Sequence, residues 1–291
     1  MALLLATLSA LCFGIGMVTG RVGLRTLDPR AGAAISIPTA TVLFLAAAPF
    51  AIEWSAFNLS TAIISAAIIF ALVGMIYPAI VTLLTFRANE ELGPTVTSAI
   101  SGTAPLFALL AAGLFLDERV PPQAAVAAAG VALGVALLSW TPGAIRAGYT
   151  GKALLWPIAG AVLRGLAQAG AKAGLLLWPN PFAAGVIGYL VSSATVIGAD
   201  RLRHAPRTAP ARRSVLWFGA TGILNGGAVL LMYAALAIAP VSTVAPIIAA
   251  YPLVTVGVSA LFLRGEPLTR RMVGGAVIIV AAIVYLSISR I

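Results

Sequence analysis

Three polar side chains lie at helical spacing inside a strongly apolar stretch, "VLRGLAQAGAKAG" at 162–174. Arg164, Gln168 and Lys172 are four residues apart, so a helix would place them on one face. A charge in the middle of a membrane span costs at least about 2.5–3.5 kcal/mol on insertion scales, and such residues face a cavity or a partner. We therefore expect this face to line a central cavity and to offer positive charge to an anionic group such as a carboxylate.

Two structural roles compete with that interpretation. Arg164 could bond backbone carbonyls across a helix bundle. Lys172 lies within two turns of "WPNP" and could extend its ammonium outward to the membrane surface, leaving its aliphatic stem in the apolar region.

Other polar and aromatic side chains also fall inside apolar stretches. With the three residues above, the candidate substrate-binding set comprises Tyr77, Thr97, Ser101, Asn225, Tyr233, Ser242 and Tyr251. Thr97 and Ser101 are four apart and share a helix face, and the three tyrosines are expected to shape a pocket for the body of the substrate. Pro105, Pro246 and Pro252 interrupt the predicted fourth and ninth helices and are candidate hinges.

Several kinds of chemistry lack the residues they need. The eight acidic residues fall at the ends of apolar stretches or in connectors, and the one histidine, His204, lies in a basic connector. A single cysteine, Cys12, cannot form an internal disulfide, and no cysteine–histidine cluster suggests a metal. We predict a protein that is not an enzyme and that uses no cofactor, metal or nucleic acid.

The elements that position these residues are membrane helices. Hydrophobic residues make up 61% of the 291 residues and charged ones 9%, with a mean hydropathy of +1.06, which is typical of a multi-pass membrane protein. An all-α fold is predicted, with ten spans near 2–20, 32–52, 62–85, 94–116, 122–140, 153–176, 182–200, 214–236, 240–263 and 269–289.

The chain also repeats itself. "ALCFGIGMVTGRVGL" (10–24) aligns with "AVLRGLAQAGAKAGL" (161–175), and "TAPLFALLAAGLFLDE" (103–118) aligns with "AYPLVTVGVSALFLRGE" (250–266). These matches predict two five-helix halves, 1–141 and 152–291, around a central cavity. Because five is odd, the second half begins on the opposite side of the membrane, so the halves are inverted, as in secondary transporters that bind substrate near the midplane.

The distribution of basic residues agrees with inversion. Arg25 and Arg87 in the first half, and Arg203 and Arg271 in the second, fall on one predicted side with most other basic residues. By the positive-inside rule that side is cytoplasmic, which places both termini outside. The net charge of +10 is then explained by orientation in a membrane.

With "LFLDE" (114–118) and "LFLRGE" (261–266) closing helices 4 and 9, the chain resembles the EamA-type branch of the drug/metabolite transporter superfamily. Within it, the chain looks most like the YddG-type bacterial exporters of aromatic amino acids. Lys172 matches a basic residue that such proteins carry late in the first helix of a half, whereas helices 2 and 7 lack the arginine common near their start.

The resemblance implies an alternating-access exporter of amino acids or similar small metabolites in the bacterial inner membrane, acting as a monomer among membrane lipids. A multidrug or lipophilic-cation exporter and a sugar- or nucleotide-type carrier share the fold and remain alternatives. The cationic face and the missing buried carboxylate argue against cation export.

Overall fold

The computed structural model describes residues 1–51, 60–138, 151–201, 211–262 and 270–289, and all regular structure in these ranges is helical. The helices are α1 (Ala2–Gly23), α2 (Pro29–Ala51), α3 (Thr61–Gly74), α4 (Val81–Ser101), α5 (Ala104–Phe115), α6 (Pro122–Leu138), α7 (Gly151–Leu177), α8 (Pro181–Arg201), α9 (Arg212–Ile238), α10 (Val241–Ile248), α11 (Tyr251–Phe262) and α12 (Arg270–Ile288). A π-helical segment, Met75–Ile80, joins α3 to α4.

Alanine, leucine and other good helix formers dominate these segments, and polar side chains fix several of their starts. Asp28 accepts hydrogen bonds from the backbone of Arg30 (2.9 Å) and Ala31 (3.1 Å) at the start of α2. Asn180 does the same for Ala183 (2.9 Å) at the start of α8. Such caps satisfy amide groups that have no partner within the helix.

Six helical stretches are long and apolar enough to cross a membrane: Ala2–Gly23, Pro29–Phe50, Thr61–Gly93, Pro181–Ala199, Arg212–Ile238 and Val241–Leu261. Three shorter apolar helices, Ala104–Phe115, Pro122–Leu137 and Val273–Leu286, accompany them. Length and composition therefore do not confirm all ten expected spans. Helix α7 is long enough, at 27 residues, but Arg164, Gln168 and Lys172 lower its hydropathy, and the expected fourth span is divided between two helices.

Two helices are interrupted in the same way. Helical residues 94–101, which follow a turn at Gly93 (φ 78°) within α4, end just before α5, and α10 ends just before α11. Each break is two residues long and has an equivalent pair of hydrogen bonds. In the first, Thr103 N–H donates to Ile100 O (3.1 Å) and Leu106 N–H to Thr103 O (3.0 Å). In the second, Ala250 N–H donates to Ile247 O (3.1 Å) and Leu253 N–H to Ala250 O (2.9 Å).

Glycines bring a neighbouring helix close to each break. A Cβ on Gly14 of α1 would lie 2.8 Å from the carbonyl oxygen of Tyr251, and one on Gly165 of α7 would lie 2.9 Å from that of Ala104. Both distances are shorter than van der Waals contact, so only glycine permits these crossings. Small residues allow such close approach of membrane helices.

The core is formed by helices that are distant from one another in the chain. Helix α1 packs mainly against α9, and α7 packs against α4 and α5. Arg203, one of the basic residues that predict the orientation, lies outside the described residues, as do Arg146, Arg207 and Arg264.

Candidate functional site

Arg164 lies at the centre of the bundle, halfway along α7, with 8% of its surface exposed. Its guanidinium carbon lies 5.2 Å from the ring centre of Tyr77, 5.4 Å from that of Phe13 and 5.8 Å from that of Tyr251. Three aromatic rings therefore surround the charge. Cation–π contacts of this kind each stabilise a cation by about 0.5–2 kcal/mol.

These ring contacts leave at least one hydrogen-bond donor of Arg164 unsatisfied. Its Nε is buried and has no hydrogen-bond partner among the residues that the structure describes, and none of the described carboxylates forms an ion pair with the guanidinium. An unpaired buried charge is costly, at several kcal/mol after relaxation. The fold thus holds a planar set of donors, suited to a carboxylate or another oxyanion, beside a pocket.

The pocket beside Arg164 is small, and five of its twelve lining residues are aromatic. Its volume is about 30 Å³, which is room for about one water molecule. The residues that line it are Phe13, Gly16, Met17, Tyr77, Pro78, Thr82, Thr85, Phe86, Arg164, Tyr189, Asn225 and Tyr251. Among these lining residues Arg164 is the one with a charged side chain, and the walls combine flat apolar rings with hydroxyl and carboxamide groups.

Irregular backbone positions two of the rings. Tyr77 lies in the π-helical segment with extended backbone angles (φ −137°, ψ 123°), and Tyr251 is the first residue of α11, directly after the break that follows α10. Non-helical backbone inside a membrane is tolerated where it is buried in protein or lines a cavity. Both departures from helical geometry therefore occur next to Arg164.

Comparison with known proteins bears on what such a pocket does. A family model described as the EamA-like transporter family matches residues 1–140 and again residues 151–288. The chain belongs to the EamA-like transporter family. The chain is also similar in fold to a solved structure described only as "Crystal structure of protein", with a TM-score of 0.75 and 15% identity over 99% of this chain and 96% of the other. No curated protein matches the chain.

Family membership confirms the EamA-type resemblance and makes this chain a multi-pass membrane protein of a transporter family. Four candidate substrate-binding residues line the pocket of this EamA-like protein: Arg164, Tyr77, Asn225 and Tyr251. Asn225 packs against Gly16, where a Cβ would lie 2.6 Å from its side-chain oxygen. Gly16 therefore makes room for this carboxamide at the pocket wall.

The other candidates are buried but do not line the pocket: Gln168, Thr97, Ser101, Tyr233 and Ser242. Within the described part of the chain, Gln168 Oε1 and Thr97 Oγ1 have no hydrogen-bond partner. The candidate hinge residues Pro105 and Pro252 each take the second position of the helix that follows a break, and Pro246 lies inside α10. Their role as hinges stays a prediction.

Lys172 does not share the cavity of Arg164, contrary to expectation. Its Nζ donates to the carbonyl oxygens of Leu236 (2.7 Å) and Ala239 (3.1 Å) at the end of α9. The carboxylate of Glu118 accepts from the backbone of Val241 (3.1 Å) and Ser242 (2.9 Å), at the start of α10. Lys172 thus binds the carboxyl end of α9, and Glu118 binds the amino end of α10, on the two sides of the corner between these helices. Each charge lies at the helix end whose dipole favours it.

Arg21, the sequence counterpart of Lys172, makes a similar bond in the first half. Its Nη1 donates to the carbonyl oxygens of Asn89 (2.6 Å) and Glu90 (3.2 Å), just before the turn at Gly93. In each half, the basic residue late in the first span therefore binds backbone carbonyls near the end of the third predicted span. These third spans are 62–85 in the first half and 214–236 in the second. This shared structural role explains why Arg21 and Lys172 align, and it does not require either residue to bind a substrate.

Sequence reasoning missed several pocket residues, among them Phe13, Thr82, Thr85 and Tyr189. Thr82 and Thr85 are three apart in α4, and this spacing could have marked a polar stripe like that of Thr97 and Ser101. Phe13 and Tyr189 carry no comparable signal, because aromatic residues are common on buried faces of any membrane helix.

Proposed function

We propose that this protein is an alternating-access secondary transporter that exports a small metabolite with a carboxylate or a similar anionic group. The observation that carries this proposal is the buried guanidinium of Arg164, which lies at mid-span beside a central pocket and whose Nε has no hydrogen-bond partner among the described residues. A bidentate bond from Nε and one terminal nitrogen to an oxyanion would satisfy the Nε donor, which has no partner among the described residues. Amino acids, aromatic ones included, belong to this class.

The proposed mechanism needs two inverted halves that can move relative to each other. The equivalent breaks before α5 and α11, and the equivalent glycine contacts at Gly14 and Gly165, support this arrangement, with ten spans and an in-plane pseudo-two-fold axis. The small volume of the pocket implies that helices must separate to admit a substrate. The breaks supply positions where the helices can bend.

The pocket favours export over import. Its lining extends from Arg164 toward Met17, near the end of α1, and toward Thr85 and Phe86 in the first turns of α4, at the end of the predicted third span (62–85). Basic residues follow these ends, so by the positive-inside rule they lie at the cytoplasmic face of the bacterial inner membrane, with both termini outside. A substrate from the cytoplasm would thus approach Arg164 along polar and aromatic side chains.

Transport by purified protein in liposomes tests the proposal. We expect uptake or counterflow of at least one labelled amino acid or organic acid. In Arg164→Met its apparent affinity should fall roughly 10- to 150-fold, which corresponds to a charged hydrogen bond of about 1.5–3 kcal/mol. The matched control is Arg87→Met, because Arg87 is exposed and pairs with Glu91 on the same helix (2.7 Å).

Stability separates a binding role for Arg164 from a structural one. The three cation–π contacts offset the cost of burying the charge without exceeding it. Arg164→Met should therefore unfold no more easily than the wild type, while it loses transport. Full transport by Arg164→Met would remove Arg164 from the site. Unfolding at markedly milder conditions would assign it a structural role.

A further inference from the structure

The charge balance of the pocket distinguishes substrates that otherwise look alike. Arg164 contributes one positive charge, and no carboxylate occurs among the twelve residues that line the pocket. An amino acid would bring a carboxylate to Arg164 and an ammonium into the same low-dielectric space. That ammonium would be close to the guanidinium, which repels it, and would have no anion to replace its lost water.

A monoanion avoids this cost. One negative charge neutralises Arg164, and the rest of the molecule meets the rings of Phe13, Tyr77, Tyr189 and Tyr251. These faces suit an aromatic or branched aliphatic body. Building on the transport function proposed above, we propose that the substrate is an organic monoanion, a carboxylate with an apolar body and no ammonium group.

This assignment also supplies a driving force. Arg164 is fixed to α7, so the substrate alone crosses the membrane, and each turnover moves one negative charge. A potential of about 100 mV, negative inside, favours outward accumulation of a monoanion by about 50-fold. Export then needs no coupled proton, in keeping with a pocket lining that contains no carboxylate to bind one.

The direct test compares pairs of acids that differ only in the α-ammonium group. 3-Phenylpropanoate is paired with phenylalanine, 4-methylpentanoate with leucine, and propanoate with alanine, each titrated into the purified full-length protein. We expect at least one acid to bind ten or more times tighter than its amino acid, and to lose that binding in Arg164→Met. Equal or tighter binding of the amino acid, dependent on Arg164, would overturn the monoanion assignment and leave the transport proposal standing.

A second measurement tests whether transport of the acid moves net charge across the membrane. In proteoliposomes with a potassium gradient and valinomycin, efflux of the preferred acid should become faster when the interior is made negative. Efflux that ignores the potential would overturn the assignment. If no member of any pair is bound or transported, both this inference and the proposed function fail.

A substitution at Asn225 provides a third test, because it should change the preference between acids and amino acids. Asn225→Asp adds a carboxylate to the pocket wall next to Gly16, and should shift the ratio of acid to amino-acid affinity toward the amino acid by about tenfold or more. The matched control is Asn180→Asp, because Asn180 caps the start of α8 away from the pocket. An unchanged ratio in Asn225→Asp, in protein that still binds the acid, would contradict the charge argument.

Discussion

Replacing Lys172 with methionine tests whether this residue positions helices or binds substrate. Methionine keeps most of the aliphatic stem and removes the ammonium that donates to Leu236 O and Ala239 O. Glu118 would still bond the backbone at the start of α10. The corner between α9 and α10 would then be held from one side.

The expected cost follows from the two bonds. Hydrogen bonds to a charged group contribute about 1.5–3 kcal/mol each, and loss of a partner leaves carbonyl groups unsatisfied. The two bonds share one ammonium, and carbonyls at a helix end can find other donors, so the sum is smaller than two full bonds. We expect a decrease of about 2–4 kcal/mol in the free energy of unfolding.

Unfolding by SDS in mixed micelles, followed by tryptophan fluorescence, measures this difference. Lys152→Met is the matched control, since Lys152 is exposed near the start of the same helix and should change stability by less than about 0.5 kcal/mol. If Lys172→Met is as stable as Lys152→Met, the bonds at the corner contribute nothing and the argument fails. If it is stable but binds substrate at least tenfold more weakly, Lys172 is a ligand after all.

Two further predictions concern packing and the helix breaks. Gly222→Ala should destabilise the protein by about 1–3 kcal/mol in the same assay, because the added methyl would overlap the backbone of Ser36. Gly227→Ala is the control and should not destabilise it, because the space around the Cβ position is open. Equal stabilities of the two variants would contradict the packing. The double variant Pro105→Ala, Pro252→Ala restores a backbone N–H at the second position of the helix after each break. It should slow transport several-fold with little change in substrate affinity, whereas the control Pro122→Ala at the start of α6 should not. An unchanged transport rate in the double variant would show that these prolines are not hinges.

The sequence was sufficient to predict the helical, membrane-embedded fold and the family. In lipid, helices and closed β-barrels satisfy the backbone groups, and continuous apolar runs of about twenty residues indicate helices. The aligned segments at 10–24 and 161–175 predict the repeat. It was also sufficient to single out Arg164, because a charge at mid-span needs a reason. The break in each expected span was signalled by Pro105 and Pro252, two prolines at equivalent positions.

The sequence could not decide which polar side chains share a cavity. Arg164 and Lys172 lie on one helix face, but they are two turns apart, about 12 Å along the axis, so the face extends past a pocket that is smaller than this separation. Lys172 therefore meets the end of α9, and Arg164 meets Tyr77 and Tyr251. Helical spacing determines the face of a side chain, whereas its partner is determined by how the other helices cross, which depends on close contacts such as those of Gly14 and Gly165 that no local pattern specifies.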